Sequence, residues 1–261
     1  MTALQEHALQ CADLLAQAHR VVALTGAGIS TAAGIPDFRG PEGLYRQAGI
    51  DHPENIFDID TFRKDPSLFY RFHGTFLQAL ERVQPTFTHT FLAQEEQRGR
   101  LKGVVTQNID ALHQRAGSRQ VLEIHGSVWD TFCTRCHAHY DYQLSVTKTL
   151  REGIPHCDRC RGVLKPDVVF FGEAVKHLDA CQTMVVEADL LLVLGTSLTV
   201  MPAALLPALC PGKIVVVNKG EFSHSALPPS RITLFAEEAL DPFFREVAAC
   251  LEARREEFLP E

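Results

Sequence analysis

Five short polar clusters and two cysteine pairs hold the side chains of this sequence that are equipped for chemistry. Thr106-Gln107-Asn108-Ile109-Asp110 places amides and a carboxylate at the end of the apolar run Gly103–Thr106. Glu123-Ile124-His125-Gly126 puts an imidazole after another short apolar run. An imidazole titrates near working pH and so suits general-base work. Gly26-Ala-Gly28-Ile-Ser30, Gly195-Thr196-Ser197 and Val217-Asn218-Lys219-Gly220 follow three further apolar runs. In open α/β sheets the carboxyl ends of the strands face the ligand crevice. Polar clusters at five apparent strand ends exceed what turns alone require, and His125 is the candidate base among them.

Cys133-x-x-Cys136 and Cys157-x-x-Cys160, separated by residues 137–156, form the second signature. Each C-x-x-C turn aims two sulfurs at one point, and zinc takes four thiolates in a tetrahedron. Thr134, Arg135, Asp158 and Arg159 fill the turns and suit solvated knuckles. His137, His139 and His156 are also chemically able to ligate, but four thiolates suffice. Such a site leaves no position open for water or substrate, so the expected metal is one structural zinc ion. Disulfides and unligated core thiols are the competing readings.

The elements that must position these groups follow from hydrophobic periodicity. Leu4, Ala8, Cys11, Leu15 and Ala18 recur at helical spacing and predict a first helix. Val21–Leu24, Gly103–Thr106, Asp167–Phe171, Leu190–Leu194 and Lys213–Val217 read as buried strands, with helical patterns between several of them. That alternation implies an α/β fold with a parallel sheet covered on both faces. Two segments depart from it. Residues 41–80 carry Phe57, Phe62, Phe69, Tyr70, Phe72 and Phe76 in a mostly helical pattern, and residues 132–162 hold the cysteine pairs. Together they predict a second, smaller lobe, with a cleft between the lobes as the ligand site.

Composition narrows the function classes. The chain has 261 residues and a net charge of −7, with a pI near 5.9. Proteins that bind phosphate backbones in bulk are usually basic, so direct nucleic-acid binding is not expected. Cys11, Cys181, Cys210 and Cys250 lie in apolar contexts and read as buried thiols, which fits a reducing compartment. A cytoplasmic monomer is expected. Residues 1–20 include Glu6 and Asp13 and no continuous apolar core, so they do not read as a secretory signal. The most apolar stretch, Ala188–Val217, is interrupted by Asp189, Gly195, Pro202, Pro207 and Pro211; no membrane partner is expected.

The first glycine loop is informative for what it lacks. Gly26 and Gly28 directly after a strand allow the backbone to approach a pyrophosphate. Thr31 occupies the third glycine position of the dinucleotide fingerprint, and no acidic ribose anchor ends a second strand about twenty residues later. Alone, the loop reads either as a nucleotide site or as a tight turn in an α/β core. The segment Ala33-Gly34-Ile35-Pro36-Asp37-Phe38-Arg39-Gly40 then joins an acid, an aromatic ring and a guanidinium to that loop.

In this order the motifs resemble the sirtuin family, the NAD-dependent protein-lysine deacylases. The matching elements are Gly26–Ser30, Gly34–Arg39, Thr106–Asp110, His125-Gly126, both cysteine pairs, Pro166–Glu173, Gly195–Ser197 and Val217-Asn218. The resemblance implies a Rossmann-like NAD-binding domain made of residues 1–40, 81–131 and 163–261. It implies a small domain made of a helical module, residues 41–80, and a zinc-binding module, residues 132–162. It further implies NAD as co-substrate and acyl-lysine proteins or peptides as partners.

Roles carry over by position. Gly26, Ala27, Gly28, Asp37, Arg39, Gln107, Gly195, Thr196, Ser197 and Asn218 are implied NAD contacts. Phe38 is the ring that shields the glycosidic carbon once nicotinamide leaves, and Asn108, Ile109 and Asp110 form the nicotinamide pocket. His125 is the general base, with Asn108 and Asp110 also catalytic. Val168, Val169, Phe170, Phe171 and Gly172 resemble the strand that holds the substrate peptide by β-augmentation. The implied route couples amide cleavage to NAD: the amide oxygen attacks the ribose as nicotinamide departs, and His125 then deprotonates a ribose hydroxyl.

Two departures from the family pattern matter. At the adenine end this chain reads Leu234-Phe-Ala-Glu-Glu238 in place of a glycine-containing loop. Members that prefer acidic acyl groups use a Tyr-x-x-Arg pair; here Tyr70 remains and His73 stands at the arginine position. Histidine lacks the permanent planar fork of arginine, so neutral acyl groups are expected to be preferred. A simpler reading of Tyr70 and His73 is that they line the interface between lobes. Two other functions compete with deacylation: mono-ADP-ribosyl transfer to protein, and a zinc-ribbon binding module.

Overall fold

Runs of leucine and valine become strands buried on both faces. A computed structural model describes residues 1–35 and 53–257. Among them, β1 (Val21–Thr25), β2 (Leu101–Thr106), β3 (Val121–Glu123), β7 (Leu190–Leu194), β8 (Lys213–Val217) and β9 (Leu234–Ala236) form one parallel sheet in the order β3-β2-β1-β7-β8-β9. All five residues of β1 and of β7 are buried, which explains their unbroken apolar composition. The strand order reverses between β1 and β7, so a crevice opens at their carboxyl ends.

Helices cover both faces of this sheet. On one side α1 (Ala3–Gln17), α4 (Phe87–Gln97) and α8 (Leu240–Glu257) bury Cys11, Leu15, Phe91, Leu92, Phe243 and Phe244 against it. On the other, α7 (Leu178–Val186) and the 203–209 turn bury Cys181, Val185, Ala204 and Leu206. None of the described helices is long and apolar enough to cross a membrane.

A third cluster is aromatic. Helices α2 (Ile59–Lys64) and α3 (Ser67–Leu80) pack Phe57, Phe62, Phe69 and Tyr70 around Phe170. The Phe170 ring lies 5.6, 5.3 and 4.9 Å from those of Phe57, Phe62 and Phe69. Edge and tilted ring contacts at these separations add to simple area burial.

Strands β4 (Gly126–Cys133), β5 (His139–Tyr140) and β6 (Leu164–Val168) form a separate antiparallel sheet in the order β5-β4-β6. Its β4–β6 ladder runs from Gly126↔Val168 to Cys133↔Leu164, so the cysteine knuckles hang from strands that begin beside the large sheet. The expectation of a buried strand over Asp167–Phe171 needs correction here. The strand is Leu164–Val168, and it lies outside the parallel sheet. Beyond Val168 the backbone bonds serially to different partners. Val169 N–H donates to His125 O at 2.8 Å, Phe170 N–H to the Glu173 carboxylate at 2.9 Å, and Phe171 N–H to Phe57 O at 2.7 Å.

Candidate active site

Two glycine turns meet backbone to backbone at the reversal of strand order. Gly26 N–H donates to Leu194 O at 3.0 Å and Gly28 N–H to Gly195 O at 2.8 Å. A Cβ on Gly28 would stand 2.7 Å from Gly195 Cα, and one on Gly195, whose φ is +60°, would stand 2.7 Å from the Gly28 carbonyl carbon. Only residues without side chains allow this approach, which leaves the turns as a bare backbone cradle.

Beside the cradle, the end of β2 builds a buried polar cluster. Asn108 Nδ2 donates to Gly26 O at 3.2 Å and to Ser30 Oγ at 3.1 Å. Ser30 Oγ donates to Asp110 Oδ2 at 2.6 Å, and Asp110 Oδ1 accepts the Leu112 N–H at 2.9 Å. Burial raises the Asp110 carboxyl above its usual range, opposed by these donors. Ala27, Ser30, Asn108, Ile109 and Asp110, with Ile35 and Phe76, surround a small pocket. With both amide protons of Asn108 engaged, its carbonyl oxygen is the group left for a ligand.

His125 follows the short edge strand β3. Its Nδ1 lies 3.0 Å from Gln107 O. A carbonyl only accepts, so Nδ1 carries the proton and Nε2 keeps the lone pair. Nε2 is buried with no partner among the described residues. Burial lowers the pKa of the ring, and the Gln107 carbonyl partly opposes that. Gly126 fixes the turn: its φ is +75°, and a Cβ there would stand 1.9 Å from Asp167 O.

A cavity of about 750 Å³ gathers these parts. Gly26, Ala27, Gly28, Gln107, Asn108, Ile109, His125, Gly195, Thr196, Ser197 and Asn218 line it, as do Val168, Val169, Phe170, Phe171 and Gly172. Gln107 reaches across by donating its side-chain N–H to Thr196 Oγ1 at 2.9 Å. The wall at 168–172 is fixed by Lys165, whose Nζ donates to Val168 O at 2.7 Å and Glu173 Oε2 at 2.9 Å while lying 4.1 Å above the Phe170 ring. The N–H groups of Val169, Phe170 and Phe171 are all spent within the chain.

Not every expected residue lies on this cavity. Asp37, Phe38 and Arg39 lie outside the described residues. Tyr70 and His73 are not among the described residues that line the cavity. Both belong to the apolar stripe of α3: the Tyr70 hydroxyl donates to Leu164 O, and the His73 ring stacks on Phe69 at 4.9 Å. Burial pushes the His73 pKa down to about 3. Conversely, Phe57, Glu173, Leu178, Val200 and Met201 line the cavity without having been singled out. Phe57, Leu178, Val200 and Met201 are apolar types that carry no chemical signal of their own, whereas Glu173 ends the matching segment Pro166–Glu173.

The four cysteines form a separate site. Their sulfurs all lie within 4.8 Å of one another. Both knuckles repeat one geometry: the residue after the second cysteine, His137 or Arg161, has φ of 54° or 60° and donates its N–H to the carbonyl of the first. Arg135 N–H and Cys136 N–H point at Cys133 Sγ, each at 3.4 Å, and the Tyr140 hydroxyl donates to Cys157 Sγ at 3.3 Å. Hydrogen bonds onto sulfur suit thiolate ligands, so four such sulfurs fit a structural zinc ion.

A family model described as the Sir2 family matches residues 26–202. An NAD-dependent protein deacetylase of Thermotoga maritima is 44% identical over 215 residues, 80% of this chain and 85% of that protein. One of Sulfolobus acidocaldarius is 39% identical over 246 residues, 91% and 95%. A solved Sir2–p53 peptide–NAD+ complex shares 41% identity at a TM-score of 0.82, covering 92% of this chain and 96% of that one. Sir2Tm bound to a propionylated peptide shares 38% at 0.81, with the same coverage. With the fold, the motif order and most of both chain lengths in agreement, this chain belongs to the Sir2 family.

Proposed function

We infer that this chain is an NAD-dependent protein-lysine deacylase, moving an acyl group from lysine to ADP-ribose and releasing nicotinamide. The observation that carries the reading is the unpartnered lone pair on Nε2 of His125, a residue that lines the same cavity as the glycine cradle and the apolar wall at 168–172. NAD supplies a ribose carbon that becomes electrophilic as nicotinamide leaves. Gly26, Ala27, Gly28, Gly195, Thr196, Ser197, Gln107 and Asn218 hold the nucleotide. Asn108, Ile109 and Asp110 orient the nicotinamide end. Val168, Phe170 and Phe57 enclose the acyl-lysine and exclude water, and His125 accepts the proton of a ribose hydroxyl. Asp37, Phe38 and Arg39 are assigned to the nucleotide on their sequence match alone.

Transfer of ADP-ribose to protein would need no base at a ribose hydroxyl, so the tautomer of His125 favours deacylation. The four cysteines hold zinc as a structural ion, and no chemical step passes through it. The division into a Rossmann-like domain and two small modules accompanies this reading. So does a cytoplasmic monomer: the net charge of −7 and the unpaired thiols of Cys11, Cys181, Cys210 and Cys250 support a soluble role in a reducing compartment.

Mass spectrometry of the protein incubated with NAD and an acetyl-lysine peptide tests the reading. Peptide deacetylation, nicotinamide and O-acetyl-ADP-ribose should appear one for one. ADP-ribose bound to protein, or no turnover, would overturn it.

A further inference from the structure

Behind the active-site turns, two histidines lie buried under the sheet edge, unused by the reaction. His89 on α4 and His113 on α5 (Leu112–Arg115) are 0% and 1% exposed, with ring centroids 4.7 Å apart. Their hydrogen bonds fix both tautomers. His89 Nδ1 accepts the Thr86 N–H at 3.2 Å, standing in for the glutamate of an N-terminal capping box. Nδ1 is therefore unprotonated and Nε2 carries the hydrogen. Thr25 Oγ1 donates its one proton to Thr106 Oγ1 at 2.9 Å, so it must accept from His113 Nε2, also at 2.9 Å. His113 Nδ1 is then a bare acceptor. The two buried ring atoms without a protein partner are the His89 Nε2–H donor and the His113 Nδ1 acceptor, which are complementary.

The bonds of the two rings, which pack on each other without a hydrogen bond between them, both reach the candidate site. From His89, the Thr86 hydroxyl proton is shared between Nδ1 at 2.8 Å and Ile29 O at 3.2 Å, in the turn that follows the glycine cradle. From His113, Thr25 and Thr106 lead to the Asn108 N–H, which donates to Thr106 Oγ1 at 3.1 Å. Ser30 and Asn108, bonded to each other at 3.1 Å, sit between those contacts on the small pocket.

We propose that His89 and His113 are positioning residues: one neutral, Nε2-protonated pair that sets the separation of the Ala27–Ile29 turn from the Thr106–Asn108 turn, and thereby the pocket for the nicotinamide end of NAD. The proposal rests on the deacylase reading only for the identity of that ligand. Burial lowers both imidazole pKa values, and the His89 ring further opposes protonation of His113; Asp241, which accepts from Phe87 N–H and Thr88 N–H, is the charged group that acts against this at His89.

Ring nitrogen–proton NMR correlations of the wild-type protein read the tautomers directly, whatever its activity. Both rings should be Nε2–H and neutral from about pH 8 to about pH 5. An Nδ1–H tautomer, or titration of either ring near its ordinary pKa, overturns the proposal. The second arm measures direct binding of NAD and nicotinamide to His113→Phe and His113→Gln. Loss of the donor to Thr25 in His113→Phe should weaken both about tenfold while the KM for acyl peptide changes little. His113→Gln, which keeps a donor, should recover most of that loss. Equal weakening in both variants, or a rise in peptide KM alone, would also sink it. Correct tautomers in a protein that never deacylates would count against the deacylase reading and leave the pairing intact.

Discussion

His125 and Gln107 are joined by one hydrogen bond that decides which imidazole nitrogen is basic. The 3.0 Å contact from Nδ1 to the Gln107 carbonyl leaves the lone pair on Nε2, in a residue that lines the cavity. The same Gln107 donates to Thr196 Oγ1 on the second glycine turn, so the base and the cradle share a single loop.

Replacement of His125 by alanine should therefore remove acyl transfer while NAD still binds, since the cradle is built of backbone. Loss of a general base costs roughly 10²–10⁴-fold in rate. Because burial depresses its pKa, the acid limb of the kcat profile should lie below the ordinary 6.5. Retention of more than about a tenth of wild-type kcat at saturating substrate would contradict the role.

The cysteine site should behave as a folding element. Cys157→Ser removes a ligand that also accepts from Tyr140, so zinc, stability and activity should fall together. Metal analysis beside circular dichroism checks this. A folded, zinc-free variant with full activity would refute the structural assignment.

Acid stability should report the buried histidine in α3. His73 has a folded pKa of about 3 against an ordinary 6.5, so the unfolded chain binds a proton that the folded chain refuses. Stability is then fully present above 6.5 and is lost as pH falls from there toward 3. Between pH 6.5 and about pH 5 this one group costs about 2 kcal/mol. His73→Leu should lose correspondingly less between those conditions in chemical denaturation. An identical pH dependence in both proteins would mean that His73 is not held neutral by burial.

What the sequence made legible tracks how local each signal is. Leu190–Leu194 and Lys213–Val217 appear as strands with their expected bounds, because full burial on both faces produces unbroken apolar runs. The clusters at 26–30, 106–110, 123–126, 195–197 and 217–220 lie at the carboxyl ends of parallel strands, where polar turns interrupt those runs. The apolar run Asp167–Phe171 misled, since Phe170 and Phe171 owe their character to an aromatic cluster and a cavity wall rather than to a sheet. His89 and His113 carry no sequence signal; only the meeting of α4 with α5 pairs them. Tyr70 and His73 stood out by family position, yet their helix turns both into its buried stripe.

That burial decides the final expectation, which concerns the acyl group. A succinyl or malonyl chain brings a carboxylate into a channel walled by Phe57, Val168 and Phe170, and desolvating it without a cationic partner is costly. Tyr70 has already spent its hydroxyl proton on Leu164 O, and His73 stacks on Phe69 with its pKa held at about 3. Neither offers a charge-assisted bond at neutral pH. Acetyl and butyryl peptides should therefore exceed the succinyl peptide in kcat/KM. Acidification toward about pH 6 should not raise desuccinylation relative to deacetylation, because His73 stays neutral there. Arginine at position 73 would carry a permanent charge that cannot remain in the aromatic stripe; His73→Arg should turn it toward the channel and raise relative desuccinylation, at a cost in stability. The comparison is kcat/KM for the three acyl forms of one peptide at two pH values. A succinyl peptide preferred by the wild-type protein, or a relative gain on acidification, would show that a cation reaches the acyl end.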